Sequence, residues 1–419
     1  MNKNGSTNDD WRDGTLGDFI TLQRGHDLTE TQRRVGAVPV MGSAGQNGFH
    51  DTAIAKGPGV VIGRSGASFG KVHYSPVDFW PHNTALYVTD FKGNDERFAY
   101  YFLKAINFER YNSGSAQASL NRNFIYPIPV RVPPLAEQKA IAAVLGALDD
   151  KIELNRRMNA TLEAMARALF QSWFVDFDPV RAKLDSSEPT GLDPATAALF
   201  PNEFEDSQLG PIPKGWRAAP LLEFVDVVKG RSYRSDELAD SRTALVTLKS
   251  FLRGGGYRSD GLKPFTGEYK ANQRVYPGGL VVAFTDVTQA ADVIGKPALV
   301  RSDERFETLV ASLDVGIVRP KSEHVSVPFL YCLFLTEEFQ AHTYSHATGT
   351  TVLHLGSTAI PLFVSVVPSV TVAKSFLEKA DPIFRLIDEN EKQSRTLATQ
   401  RDMLLPRLLS GEVRITNLK

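Results

Sequence analysis

The chain has a single cysteine among its 419 residues. Cys332 lies inside the apolar run Phe329–Leu335, so a disulfide within the chain is excluded and a buried thiol in a reducing cytoplasm is expected. Long hydrophobic runs are also missing. No stretch approaches the ~18 apolar residues of a membrane span. The opening M-N-K-N-G-S-T-N-D-D lacks the apolar core of a secretory signal, and residues 1–10 read as a flexible tail. A surplus of positive charge is absent: 47 Lys and Arg stand against 48 Asp and Glu, a net charge of −1. That excludes a protein coated in basic residues but leaves room for local basic patches. Signatures of catalysis are lacking as well. Gly66–Lys71 is one residue short of a phosphate-binding loop and is followed by Val72, which removes the translocase and ATPase readings. An amino-methyltransferase needs an acid or amide followed by two prolines and an aromatic, and Asp178-Pro179-Val180 does not supply it. Gly63-Arg64-Ser65-Gly66-Ala67 fails as a nucleophile elbow at Ala67. His342, His346 and His354 carry no accompanying general-base Glu, and Gly349 breaks the helix between them, so no metal site is expected.

What the chain does have is a duplication. Trp11 opens W-R-D-G-T-L-G-D-F-I and Trp216 opens W-R-A-A-P-L-L-E-F-V, an offset of 205. Gly114/Gly349, Leu120/Leu355, Ile125/Ile360, Pro133/Pro368, Ile152/Ile387 and Asn155/Asn390 all repeat at 235, so the second copy carries 30 extra residues in its middle. Two non-identical copies form a pseudo-dimer, which suits a target with two related but different halves, such as duplex DNA with a bipartite site.

Each copy opens with a strand-rich block, over 11–134 and 214–369. Short apolar strands such as Gly57–Gly66 and Thr84–Val88 lie between glycine-rich turns there. Each block then gives way to a heptad pattern. Over 135–176, Ile141, Leu145, Leu148, Ile152, Asn155, Asn159, Leu162, Ala166, Leu169 and Trp173 fall at alternating steps of four and three. A helix of about 42 residues is near 63 Å long at ~1.5 Å per residue, a length suited to a spacer. The segment 370–410 repeats the seam from Phe376 through Ala380, Ile383, Ile387, Asn390, Ser394, Leu397, Arg401 and Leu404 to Leu408. If the two helices pair antiparallel, Asn155 and Asn159 meet Ser394 and Asn390, a polar layer that fixes register. The expected fold is α+β: two β-rich domains separated by two long antiparallel helices in a coiled-coil spacer, duplicated about a pseudo-twofold. A turn-rich connector spans 177–213 and a short tail spans 411–419.

Four phrases carry a family likeness: P-P-L-A-E-Q-K-A-I at Pro133–Ile141, S-W-F-V-D-F-D-P-V-R-A-K at Ser172–Lys183, I-P-K-G-W at Ile212–Trp216, and L-L-P-R-L-L-S-G-E-V-R-I at Leu404–Ile415. In that order on a duplicated frame, they make the chain resemble the DNA-specificity subunit of Type I restriction–modification systems. The second copy departs from the pattern in having V-V-P-S-V-T-V-A at Val366–Ala373. The resemblance implies two target-recognition domains, each reading half of an interrupted double-stranded site in successive major grooves. It implies a chain with no catalytic residues, no metal and no cofactor of its own. S-adenosylmethionine is expected in two partner methyltransferase subunits, and restriction/translocase subunits join the larger complex. Arg156, Arg157, Glu163, Arg167, Lys392, Arg395 and Arg401 are candidate docking positions for those partners. The competing readings are a diverged self-contained DNA methyltransferase or nuclease and a structural adaptor that does not bind DNA.

Candidate DNA-contacting residues follow from donor chemistry. Guanidinium groups suit phosphates and guanine edges, and amides suit adenine. In the first block they are Arg24, Gln46, Asn47, Arg64, Ser65, Lys71, Asn83, Ser115, Gln117, Asn121 and Arg122. In the second, Lys229–Arg274 holds ten Lys and Arg against five Asp and Glu. The candidates there are Arg231, Tyr233, Arg234, Arg253, Tyr257, Arg258 and Lys263, together with Thr285, Thr288, Gln289 and Thr350.

Overall fold

A computed structural model describes residues 10–114, 118–288 and 290–415. The chain divides into two compact units, Met1–Asn155 with Lys392–Lys419, and Arg156–Glu391. Each holds one β-rich lobe and a stretch of both long helices.

In the first unit, Arg12–Thr15 pairs antiparallel with Pro129–Val132 and so closes the start of the lobe onto its end. Between them lies a four-stranded sheet in the order Thr21–Arg24, Ala85–Asp90, Gly59–Gly63, Val72–Ser75. A second sheet joins Gly45–His50, Val38–Gly42 and Trp80–Pro81, the last two strands being parallel. The central strands are apolar on both faces because both faces are covered. Val60, Ile62, Leu86 and Val88 face a core built with Phe98, Tyr101 and Leu103 of the helix Glu96–Ala105. Val61, Ala85 and Tyr87, at the alternate positions, face Met41 and Phe79 on the other side. Asp95 starts that helix, its carboxylate accepting the Phe98 N–H at 2.8 Å.

The second lobe repeats the order of the four-stranded sheet and the parallel pair of the second sheet, which here gains a fourth strand, Arg274–Val275. Val225–Lys229, Val315–Pro320, Leu280–Ala283 and Pro297–Leu299 form the four-stranded sheet, and Thr243–Val246 runs parallel to Thr308–Ala311. Leu280, Val282 and Val318 face one core while Val281, Val315 and Ile317 face another. Register places the added residues. The offset between equivalent positions is 205 at Gln23/Val228, 220 at Val61/Val281, 230 at Tyr87/Ile317 and 235 at Leu120/Leu355. The extra residues therefore enter as three net additions: 15 as the offset rises from 205 to 220, 10 from 220 to 230, and 5 from 230 to 235. Across the last, the second lobe has the helix Glu337–Ser345 where the first has the turn Phe108–Tyr111.

Two glycines are required by this frame. A Cβ on Gly25 would lie 2.1 Å from the His82 carbonyl oxygen, and one on Gly230 would lie 2.1 Å from that of Ser312. We expect Gly25→Ala and Gly230→Ala each to cost about 2–3 kcal/mol through this overpacking. Chemical denaturation of each variant checks it, and an unchanged midpoint refutes the close approach.

The central helix spans Leu135–Phe174 and the C-terminal helix Val370–Leu409. Ser369 starts the latter, its hydroxyl accepting the Val372 N–H at 3.4 Å and its carbonyl the Ala373 N–H at 3.0 Å. Pro382 and Pro406 sit within the helix on exposed positions, so the bond each removes faces water. Within the first unit the helices run antiparallel. Arg401 donates to Asp149 at 2.6 Å, and Asn155 donates to Gln393 at 2.9 Å and to Ser394 at 3.2 Å. Tyr101 of the lobe donates to the other oxygen of Asp149 at 2.6 Å, tying the sheet-covering helix to the same pair. Leu405 and Leu408 close the seam on Ile141 and Leu145. Within the second unit the pairing is again antiparallel. Asn390 donates to Asn159 at 2.9 Å, and Phe376 packs on Phe170, Trp173 and Phe174 at ring separations of 6.0, 6.1 and 5.1 Å. Arg301, 10% exposed, reaches from that lobe to Asp388 and Glu391 of the C-terminal helix.

The connector is folded into the second unit. It forms the helices Asp178–Leu184 and Pro194–Ala198 and the hairpin Phe204–Ser207 with Gly210–Pro213. Phe200 and Ile212 are buried with Trp173 and Trp216.

Candidate functional site

The equivalent surface in each lobe lies where two strands of the four-stranded sheet end. In the first lobe the strand Gly59–Gly63 runs on into Arg64 and Ser65. The Arg64 N–H donates to the Thr84 carbonyl at 2.9 Å, and its carbonyl accepts the Leu120 N–H at 2.8 Å. In the second lobe Phe284 makes the same pair, donating to Asp314 at 2.7 Å and accepting from Leu355 at 2.8 Å. Ser65 bridges Ser119. Thr285, in the same place, bridges His354, with Thr285 Oγ1 3.4 Å from His354 Nδ1. The backbone frame is common to both lobes, and the side chains hung on it differ.

In the first lobe the surface is a cleft of about 680 Å³ lined by Arg24, Asp27, Arg64, Ser119, Asn121 and Arg122, among others. Arg24 ends the strand Thr21–Arg24 and is exposed. Arg64 is half-buried, and its Nε has no hydrogen-bond partner. Among the described residues, neither Arg24 nor Arg64 has a carboxylate within ion-pair distance. Burial and the neighbouring positive charge of Arg24 hold the Arg64 pKa below its ordinary value. Arg122 donates to the Leu22 carbonyl at 2.9 Å. Asn121 accepts the Asn123 N–H at 3.0 Å, capping a helical turn. Asn83 donates to Asp27.

The other candidates of this lobe lie elsewhere. Gln46 and Asn47 are exposed on the strand Gly45–His50, where Asn47 accepts from Arg33 through its carbonyl at 2.7 Å and its side chain at 3.3 Å. Lys71 is exposed and does not line the cleft. Ser115 and Gln117 lie outside the described residues, as does Gln289 of the second lobe.

The structure does not gather the basic run of the second lobe into one patch. Carboxylates face many of its cations. Arg231 pairs with Glu237 at 2.5 Å and lies 5.1 Å above the Phe265 ring. Arg253 faces Asp292 at 3.8 Å, and Arg258 is clamped by Asp260. Lys263 donates to the Tyr233 hydroxyl at 2.9 Å. Tyr257 packs against the core of the second sheet. Arg234 and Thr350 are exposed. Thr288 holds a turn, its hydroxyl accepting the Asp292 N–H at 2.9 Å.

Two corrections concern the long helices. Glu163 accepts from the buried Tyr331 hydroxyl at 3.1 Å and Arg401 pairs with Asp149, so both are engaged inside their units rather than presented outward. Of the three histidines, His342 and His346 bring their ring centroids within 4.2 Å, with a ring nitrogen of each turned to a backbone carbonyl. His342 donates to the Ala359 carbonyl at 2.8 Å, His346 to the His342 carbonyl at 2.9 Å, and His354 meets Thr285. Burial pushes the Cys332 thiol up to about 12, as an inert core position requires.

Lys229 falls inside the basic window but is not among the candidates chosen from it. It occupies the position of Arg24 and lies 5.9 Å from the ring of Phe284, which replaces Arg64. The constant offset of 205 from Arg24 to Lys229 is the sequence signal that identifies it.

Residues 8–164 match the family model described as the Type I restriction modification DNA specificity domain. The chain is 24% identical over 332 residues to the Type I restriction enzyme HindI specificity subunit of Haemophilus influenzae, covering 68% of this chain and 69% of that one. It is 28% identical over 335 residues to the MjaIX specificity subunit of Methanocaldococcus jannaschii, covering 77% and 70%. The crystal structure of a Type I restriction–modification S subunit from M. genitalium superposes with a TM-score of 0.54 at 17% identity, covering 97% of this chain and 98% of that one, which shows a shared fold.

Proposed function

We propose, from the premise that this chain belongs to the DNA-specificity subunits of Type I restriction–modification systems, that it reads a two-part site in duplex DNA, one half with each lobe. The helix pair sets the gap between the halves. Methyl transfer from S-adenosylmethionine and DNA cleavage belong to partner subunits that dock on this chain. The observation that carries the reading is the repeated backbone frame, built twice, with Arg24, Arg64 and Ser119 in the first lobe where the second has Lys229, the core residue Phe284 and His354. A fixed frame with exchangeable side chains suits two different half-sites better than one palindrome. No helix among the described residues is long and apolar enough to cross a membrane.

The test is an exchange of residues 1–134 for the first domain of another specificity subunit, followed by methylome sequencing of a host carrying the chimaera. One half-site changes and the other is retained. A change in both halves, or methylation at unrelated positions, refutes the modular reading.

A further inference from the structure

We propose that Arg64 reads a guanine in the half-site bound by the first lobe, and that the second lobe has no counterpart of this contact. The proposal rests on the function above and adds a residue and a base to it. Three features single out Arg64. Its backbone is pinned on both sides, by Thr84 and by Leu120, so the side chain starts from a fixed point. Its Nε is buried without a partner while the residue still lines the cleft, so the terminal guanidinium edge is what the cleft offers to a ligand. No carboxylate among the described residues neutralises it, and Arg24 lies close enough to add like charge. In the second lobe most candidate arginines already hold acids.

Of the three arginines lining the cleft, Arg122 is spent on the Leu22 carbonyl. The acid that lines it, Asp27, is bonded by Asn83 and lies within ion-pair distance of neither Arg24 nor Arg64, so these two call for acceptors from outside the chain. Duplex DNA offers two kinds, backbone phosphates and the O6 and N7 of guanine. A phosphate is reached most easily from an exposed rim, where Arg24 sits. A base edge lies deeper in the groove and demands a donor fork held at a fixed angle, which a pinned, half-buried arginine provides. Ser119 and Asn121 line the same cleft and supply hydroxyl and amide groups for flanking positions. At the position of Arg64 the second lobe has Phe284, which can neither donate to a guanine nor repel a thymine methyl.

The experiment uses the full chain assembled with its methyltransferase subunits and a library of duplexes randomised across both half-sites. For the wild-type complex we expect an invariant G·C pair in the half-site that is lost when residues 1–134 are exchanged. Arg64→Ala is expected to reduce the preference for that pair by about 10- to 100-fold, while every position of the second half-site keeps its preference. Retention of the second half-site also shows that the variant is folded. Arg64→Gln is expected to move the preference at that position toward adenine. A uniform loss of affinity with unchanged base preferences would make Arg64 a phosphate contact and overturn the proposal, and so would an Arg64→Ala complex that selects the wild-type sequence. A wild-type complex that selects no sequence at all would overturn the proposed function together with this inference, so the two failures are distinguishable.

Discussion

Adding one heptad to each long helix is expected to move the half-sites of the recognised sequence apart by about three base pairs while leaving the sequence of each half unchanged. The first unit defines where the insertions belong. Asp149 bonds Arg401, and Asn155 bonds Ser394. Seven residues inserted between Asp149 and Asn155, matched by seven between Ser394 and Arg401, keep both pairings and lengthen only the apolar seam between them. Seven residues add about 10 Å of helix, and base pairs rise by about 3.4 Å. On the original site only one lobe can then engage at a time. Apparent affinity falls by roughly two orders of magnitude or more, because the second contact loses the effective concentration of a tethered partner. Binding recovers on a site with the gap widened by three. A three-residue insertion is the control: it turns the downstream seam by about 300°, strands Asn155 against an apolar partner, and is expected to destabilise the pair without yielding any functional gap. Selection of the original gap by the seven-residue variant would mean that something other than helix length sets the spacing.

The helices were legible from sequence because a coiled-coil seam is a local, periodic signal. Asn155, Asn159, Asn390 and Ser394 stand out as polar residues at seam positions, and each makes a hydrogen bond across the helix pair of its own unit. The strands were legible for a related reason. G-V-V-I-G and A-L-Y-V are apolar at every position, which a strand covered on both faces requires. One seam position slipped at the end of the C-terminal helix: the period points to Leu404, and Leu405 is the more deeply buried of the two. The helix is nearing its end there, and the final packing is made with the lobe as well as with the partner helix.

The candidate site was less legible, because charge counting along the chain ignores what folding brings next to each charge. The window Lys229–Arg274 contains Glu237 and Asp260, but the acid facing Arg253 is Asp292 and the acid facing Arg242 is Glu307, both outside it. A surplus of cations in one segment is thus balanced by carboxylates from other loops of the same lobe. In the first lobe the sparser set Arg24, Arg64 and Arg122 does converge, because strand register and the bridge from Ser65 to Ser119 bring three distant segments to one cleft. Neither fact has a local signature. The duplication gives the better handle, since aligning the copies puts Lys229 on Arg24 and Phe284 on Arg64.

Asp286→Asn is expected to loosen the loop that follows Thr285 in the second lobe and to remove an acid-sensitive component of that unit's stability. Asp286 is fully buried, and its carboxylate accepts the N–H groups of Thr288 and Val293 at 2.6 Å and of Ile294 at 2.8 Å. Burial, the largest single influence, pushes its pKa up, but the hydrogen bonds from Thr288, Val293 and Ile294 together outweigh it and hold the pKa below the ordinary carboxylate value. A carboxylate depressed on folding stabilises the native state above the unfolded-state pKa near 3.9, and that stabilisation is lost as pH falls through the folded value. The wild type should therefore lose stability steeply below about pH 4, and Asp286→Asn should show a shallower slope there. At neutral pH the amide turns an N–H donor toward backbone N–H groups and withdraws charge-assisted bonds, a loss of about 3 kcal/mol, or roughly 6–12 °C in the melting transition of a unit this size. Thermal unfolding of both proteins across pH 3–7 checks the sign as well as the size. Parallel stability curves over that range would show that the Asp286 carboxylate is not held ionised in the fold. The functional readout follows the same logic. Thr285, Thr288 and His354 share this loop and its partner strand, so the variant should lose selectivity in the second half-site while the arginine-lined cleft of the first lobe keeps its own.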